Sequence, residues 1–141
     1  MGNRKRLIEI MSKVNNLNES VLDKKTKGMV INEFIKYVND FLELDEEPKI
    51  ILDDDEGAAS EMKSFGAFFP ELKVIKIITK NRNLADILRT LAHEMVHYKQ
   101  KLEDRLTPNS GDDGSEIENE ANATAAIIMR KFGKENPEIF E

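Results

Sequence analysis

Cysteine is missing from this 141-residue chain, so no disulfide framework can staple it. The absence agrees with a reducing compartment, and it leaves imidazoles and carboxylates as the means of building a zinc site. Histidine is scarce as well, at two residues. No stretch approaches the roughly 18 consecutive apolar residues that a membrane helix needs. The chain opens with Arg4-Lys5-Arg6, but Leu7 and Ile8 are followed at once by Glu9, so no signal-peptide core forms and a cytoplasmic location is expected. Positive charge is in deficit, with 21 Lys and Arg against 27 Asp and Glu and a net charge of −6. The basic clusters at Arg4 to Arg6 and Lys24 to Lys27 are short and read as solvated helix ends, so nucleic acid is not an expected partner. No repeat, heptad or low-complexity tract is apparent. At 40% hydrophobic and 34% charged residues, the composition is that of one globular domain with a core of its own.

What is present is concentrated. Both histidines fall in His93-Glu94-Met95-Val96-His97, four residues apart with a glutamate beside the first. On a helix, i and i+4 share a face, so two imidazoles can grip one metal ion while Glu94, one step round, reaches a water at the metal. In a chain this short H-E-x-x-H arises by accident in roughly one case in a hundred or fewer. The ordinary alternative is a surface helix that happens to carry two histidines, and the surrounding residues decide against it. Asn83 can cap a first turn with Asp86 three residues on. Leu84, Ile87, Leu88, Leu91, Met95 and Val96 then recur at helical spacing, and neither Pro nor Gly interrupts Leu84 to Leu102. That stripe is expected to pack inward, with His93, Glu94 and His97 at its border, facing a cleft.

A hydrolytic zinc site ordinarily takes three protein ligands, and without cysteine the third must be a carboxylate. The source is the acidic segment Glu116-Ile117-Glu118-Asn119-Glu120, which opens an alanine-rich helical run from Ala121 to Phe132. A ligating glutamate needs a small residue one turn away, so that two helices can approach, and a polar residue on the same face to orient a histidine. Glu118 has Ala121 and Asn122 there; Glu120 has Ala123 and Thr124; Glu116 has Asn119 and Glu120. Glu118 leads, and Glu120 stays second.

H-E-x-x-H, a loop, then E-x-x-A-N on a second helix resembles the gluzincin metallopeptidases, most closely compact members of the ImmA/IrrE and SprT-like kinds, with thermolysin more distant. The pieces are "LAHEMVH" and "ENEANATAAIIM", and the likeness spans about residues 64 to 132. The resemblance implies zinc held by His93, His97 and Glu118, Glu94 as general base, and a protein or peptide as substrate. It implies Asn122 as the residue orienting a ligating histidine, where many relatives have aspartate; an amide can accept the same hydrogen bond but lacks the charge. No transition-state donor is identified, although Tyr98, Tyr37 and Arg89 are available. The brevity and layout also resemble small metallopeptidase-like proteins of tailed bacteriophages, which would extend the location to host cytoplasm or virion. The competing function is a non-catalytic zincin-like structural or partner-binding module that keeps the metal.

Elsewhere the chain reads as support. Ser64 to Phe69 and Val74 to Thr79 flank Pro70-Glu71 as two adjacent strands, a sheet edge that could take up an extended peptide. Pro48 to Leu52 reads as a strand closed by the charged turn Asp53 to Gly57, which lacks the later ligands of a calcium loop. Leu7, Ile8, Met11 and Val14 suggest a short helix in an N-terminal arm, residues 1–20, ahead of a single domain, 21–141. A longer helix is expected from Thr26 to Leu44, with Ile31, Phe34, Ile35, Val38, Phe41 and Leu42 inward. Gly133 is expected to cap the last helix, with Pro137 preventing its continuation and Ile139 and Phe140 docking back. The fold class expected is α+β: N-terminal helices, about three strands, and two helices carrying the metal site, in a minimal zincin-like arrangement.

Overall fold

The computed structural model describes residues 24–55, 64–112 and 114–140. Within them the chain is α+β, in the order α1 (Lys24–Leu42), β1 (Lys49–Asp53), β2 (Gly66–Phe69), β3 (Val74–Ile78), α2 (Leu84–Leu102), α3 (Glu116–Glu135) and a 3-10 turn, Pro137–Phe140. The short helix expected around residues 7–14, and the end of the charged turn at Glu56 and Gly57, lie outside the described residues.

Helix α1 buries Val30, Ile31, Phe34, Val38 and Leu42, one stripe at helical period, with Ile35 and Phe41 packed on its flanks. It stops two residues short of the expected Leu44. The Leu44 N–H bonds the Asn39 carbonyl at 3.0 Å and the Glu43 N–H bonds that of Asp40 at 3.2 Å, with Glu43 in the left-handed region at φ 54°. This is a Schellman closure without its usual glycine, so the sequence carried no stop signal there.

The three strands form one mixed sheet in the order β1-β3-β2. β2 and β3 are antiparallel, Gly66 opposite Ile77 and Phe69 opposite Val74, as two strands around Pro70-Glu71 should be. β1 lies parallel to β3 from Lys49 opposite Val74 to Asp53 opposite Ile78. The central strand is accordingly the most apolar: Ile75, Ile77 and Ile78 are buried, whereas edge strand β1 leaves Ile51 and Leu52 half exposed.

Helix α2 begins at the expected residue and for the expected reason, the Asn83 side chain accepting the Asp86 N–H at 2.9 Å. Leu84, Ile87, Leu88, Leu91, Met95 and Val96 are all buried, between the sheet on one side and α1 and α3 on the others. Each such side chain fully removed from water contributes about 1.5–3 kcal/mol. At its far end Phe34 of α1 meets Phe132 of α3 edge-on at 4.9 Å.

The expectation for Gly133 is corrected. Helix α3 runs through it to Glu135, and the cap is Asn136, whose backbone and side-chain N–H groups both bond the Phe132 carbonyl. Gly133 is glycine because Phe140 packs back onto it, and a Cβ there would overlap the ring. Pro137 opens the final turn, and Ile139 enters the core.

Candidate metal centre

Four residues apart on α2, the His93 and His97 rings stand edge-to-face with centroids 4.6 Å apart and their Nε2 atoms 3.1 Å apart. Glu118, from the first turn of α3, reaches both: Oε1 lies 2.8 Å from His93 Nε2, and Oε2 lies 3.2 Å from His97 Nε2. Glu118 can lean across because Ala121, one turn on, is fully buried and lets α3 close on α2. Its carboxylate also sits at a helix N-terminus, where the backbone dipole favours an anion. Ligands about 2.0–2.1 Å from a tetrahedral zinc stand roughly 3.3 Å from one another. The three separations observed, 2.8, 3.1 and 3.2 Å, are close to such a set. His93, His97 and Glu118 therefore fit a metal ion in donor chemistry and in spacing.

The other glutamates of the segment go elsewhere. Glu120 faces away from the histidines, gripped by Arg105 at 2.9 and 2.7 Å and touched by the Gln100 amide at 3.1 Å. Those bonds hold its carboxyl below the usual range. Glu116 is exposed.

Glu94 departs from the expected border position, since it is buried at 9% exposure. Loss of hydration is the main cause that pushes its carboxyl up to about 7, with His97 pulling it down and Glu118 adding to the rise. Gly66 of β2 lies alongside it: a Cβ there would overlap Thr90 Cγ2 at 2.5 Å, so glycine lets β2 lie this close to α2. Burial likewise lowers the His93 imidazole below its ordinary value, as does neighbouring His97, against the opposing pull of Glu118 and a hydrogen bond to Asn122. Asn122 is thus placed beside His93, in the position assigned to it from the sequence.

A cleft of about 370 Å³ lies over Glu94, His97 and Glu118, walled by Ala67, Phe68 and Pro70 on one side and by Thr107, Ser110 and Gly111 of the α2–α3 loop on the other. A larger cavity of about 570 Å³, among Lys27, Ile31, Leu52 and Arg82, contains neither histidine. The loop wall is built from its own hydroxyls. Ser110 Oγ accepts the Thr107 N–H at 2.7 Å, and Ser115 donates to the Ser110 carbonyl at 2.8 Å while capping α3 through the Glu118 N–H. Ser115 with Glu118 three residues on matches a capping box in sequence, but only the serine half forms, since the Ser115 N–H bonds the Asp112 carbonyl and the Glu118 carboxylate goes to the histidines.

None of the candidate transition-state donors lines the cleft over the cluster. Tyr98 is wholly buried, edge-on to Phe68; Tyr37 packs against Phe132; Arg89 is exposed and paired with Asp86. Sequence reasoning also missed Gln100, fully buried one turn beyond His97, with its Oε1 2.8 Å from His97 Nδ1. Its signal was a polar residue at i+3 from a histidine, on the same helix face. No family model, curated protein or solved structure matches this chain.

Proposed function

We propose that this chain is a zinc-dependent peptide hydrolase of the gluzincin type. The observation that carries this is the convergence of His93 Nε2, His97 Nε2 and the Glu118 carboxylate beside a second, buried carboxyl, Glu94, raised to about 7. Lewis acidity supplied by zinc at this cluster would bring the pKa of a water to about 7 and polarise a carbonyl. Glu94 takes the proton of the attacking water and passes it to the leaving amine, a task suited to a group that both accepts and releases a proton near neutral pH. Strand β2 positions the substrate. Its outer edge has no partner strand among the described residues, and it runs beside Glu94, so an extended peptide can pair with it and lay a carbonyl over the cluster.

One observation favours the second reading, a zincin-like module that binds metal or a partner without hydrolysis: none of Tyr98, Tyr37 and Arg89 lines the cleft, leaving the oxyanion without an assigned donor.

The test begins with metal content of the purified protein beside Glu118→Ala and Glu120→Ala. Near-stoichiometric zinc in the wild type and in the Glu120 variant, lost with Glu118, supports the centre; a folded, metal-free wild type overturns it. Cleavage of a mixed peptide library by the zinc form then separates enzyme from module.

A further inference from the structure

We propose that Gln100 is a positioning residue that fixes His97 as the Nδ1–H tautomer and thereby turns the Nε2 lone pair of that ring into the cluster with His93 and Glu118. Its consequence for zinc rests on the metal centre proposed above, whereas the tautomer itself does not.

The assignment follows from which atoms can donate. Gln100 is fully buried, and its amide nitrogen lies 3.1 Å from the Ile117 carbonyl and 3.1 Å from Glu120 Oε1. A carbonyl only accepts, and so does a carboxylate held by a guanidinium, as Glu120 is by Arg105. Both amide hydrogens are therefore spent on that side. Flipping the amide would set its oxygen against two acceptors. The oxygen must face His97, where Oε1 lies 2.8 Å from Nδ1. An amide oxygen cannot donate, so Nδ1 carries the hydrogen, and in the neutral ring Nε2 is left with its lone pair, 3.1 Å from His93 Nε2 and 3.2 Å from Glu118 Oε2.

The backbone makes the lock a local device. Helix α2 closes with Asp104 in the left-handed region at φ 58°; the Arg105 N–H bonds the Gln100 carbonyl at 3.0 Å and the Asp104 N–H bonds that of Lys101 at 3.0 Å. This turn brings Arg105 back over Glu120. Gln100 thus meets the helix end through its main chain and the first turn of α3, the turn that carries Glu118, through its side chain. One residue orients His97 and sets the seat of the glutamate opposite it. His93 is held differently, by Asn122, which is exposed where Gln100 is buried.

The test reads the tautomer directly. Long-range proton–nitrogen correlation spectra of the ¹⁵N-labelled, metal-free wild type at about pH 8, above the usual imidazole range, should show His97 with Nδ1 protonated and Nε2 bare. Gln100→Leu, similar in volume but without the acceptor, should give a mixture of tautomers and a zinc affinity about 10–100-fold weaker in competition with a chelator. Gln100→Glu combined with Glu120→Gln restores an acceptor toward Nδ1, at the cost of setting the second carboxylate oxygen against the Ile117 carbonyl, and should bring back the tautomer. A wild-type His97 protonated at Nε2, or an unchanged tautomer in Gln100→Leu, overturns the proposal. If the leucine variant fails to fold, the wild-type spectrum and the double variant decide. A wild type that takes up no zinc removes the metal centre, while the tautomer still stands or falls on its own spectrum.

Discussion

Helix α3 is held in two unlike ways along its length. At the far end Phe132 packs edge-on against Phe34 and Tyr37 of α1, beside buried Ile128, through apolar side chains and rings. At the near end His93, His97 and Glu118 face one another, and fully buried Gln100 joins His97 to Glu120, through directed polar contacts. Apolar packing is non-directional and tolerates rearrangement at modest cost, whereas a buried polar group without its partner is penalised in full. The far end therefore supplies stability, and the near end converts some of it into the orientation of a few atoms.

Substitutions at the two ends should separate these contributions. The largest effect is expected at the near end: Glu94→Gln should keep zinc and the fold but lower peptide hydrolysis by about 10²–10⁴-fold, measured as turnover of a cleaved library peptide; activity that survives removes the general-base role. At the far end, Phe132→Ala should cost about 3–5 kcal/mol in denaturant unfolding while the folded fraction binds zinc as before. A coupled loss of zinc affinity would mean that the two ends are one unit.

Stability against pH sharpens the contrast further. The folded state holds the Glu94 proton to about 7, and the ordinary carboxyl releases it near 4.5. The metal-free fold should therefore lose roughly 3 kcal/mol on this account as pH rises through that window, because the unfolded chain binds fewer protons there. His93, lowered from its ordinary 6.5, works in the opposite sense, gaining stability as pH rises. The difference between wild type and Glu94→Gln isolates the glutamate: the two should converge near pH 4 and diverge toward about pH 8, with the variant the more stable. Equal curves would mean that Glu94 is hydrated in solution. The smallest effect belongs to the start of α2, where Asn83→Ala should cost about 1 kcal/mol through the lost cap, a shift in unfolding midpoint with zinc content unchanged.

How far the sequence could be read follows the range of the forces involved. Helix α2 was legible from end to end, because a cap at Asn83, an unbroken helical period and the two histidines are all written within the nineteen residues of the helix and the one before it. The strands around Pro70 were legible for the same local reason. Gly133 misled, since glycine commonly ends helices; its purpose here is to admit Phe140, which no local pattern announces. The three donor candidates were residues of suitable chemistry, but the core, Phe132 and Asp86 claim them.

The sequence by itself determined the α+β class of the described residues, the helical frame of H-E-x-x-H and the short list of carboxylates within reach of it, because these depend on capping and periodicity between near neighbours. Only the tertiary structure decided between Glu118 and Glu120, two residues apart on one helix and nearly equal on paper. Arg105, in the turn after α2 and fifteen residues before Glu120, takes that carboxylate, Gln100 fills the space between, and Glu118 is left facing both imidazoles. That choice is made by hydrogen bonds between segments that become neighbours only when α3 folds back along α2.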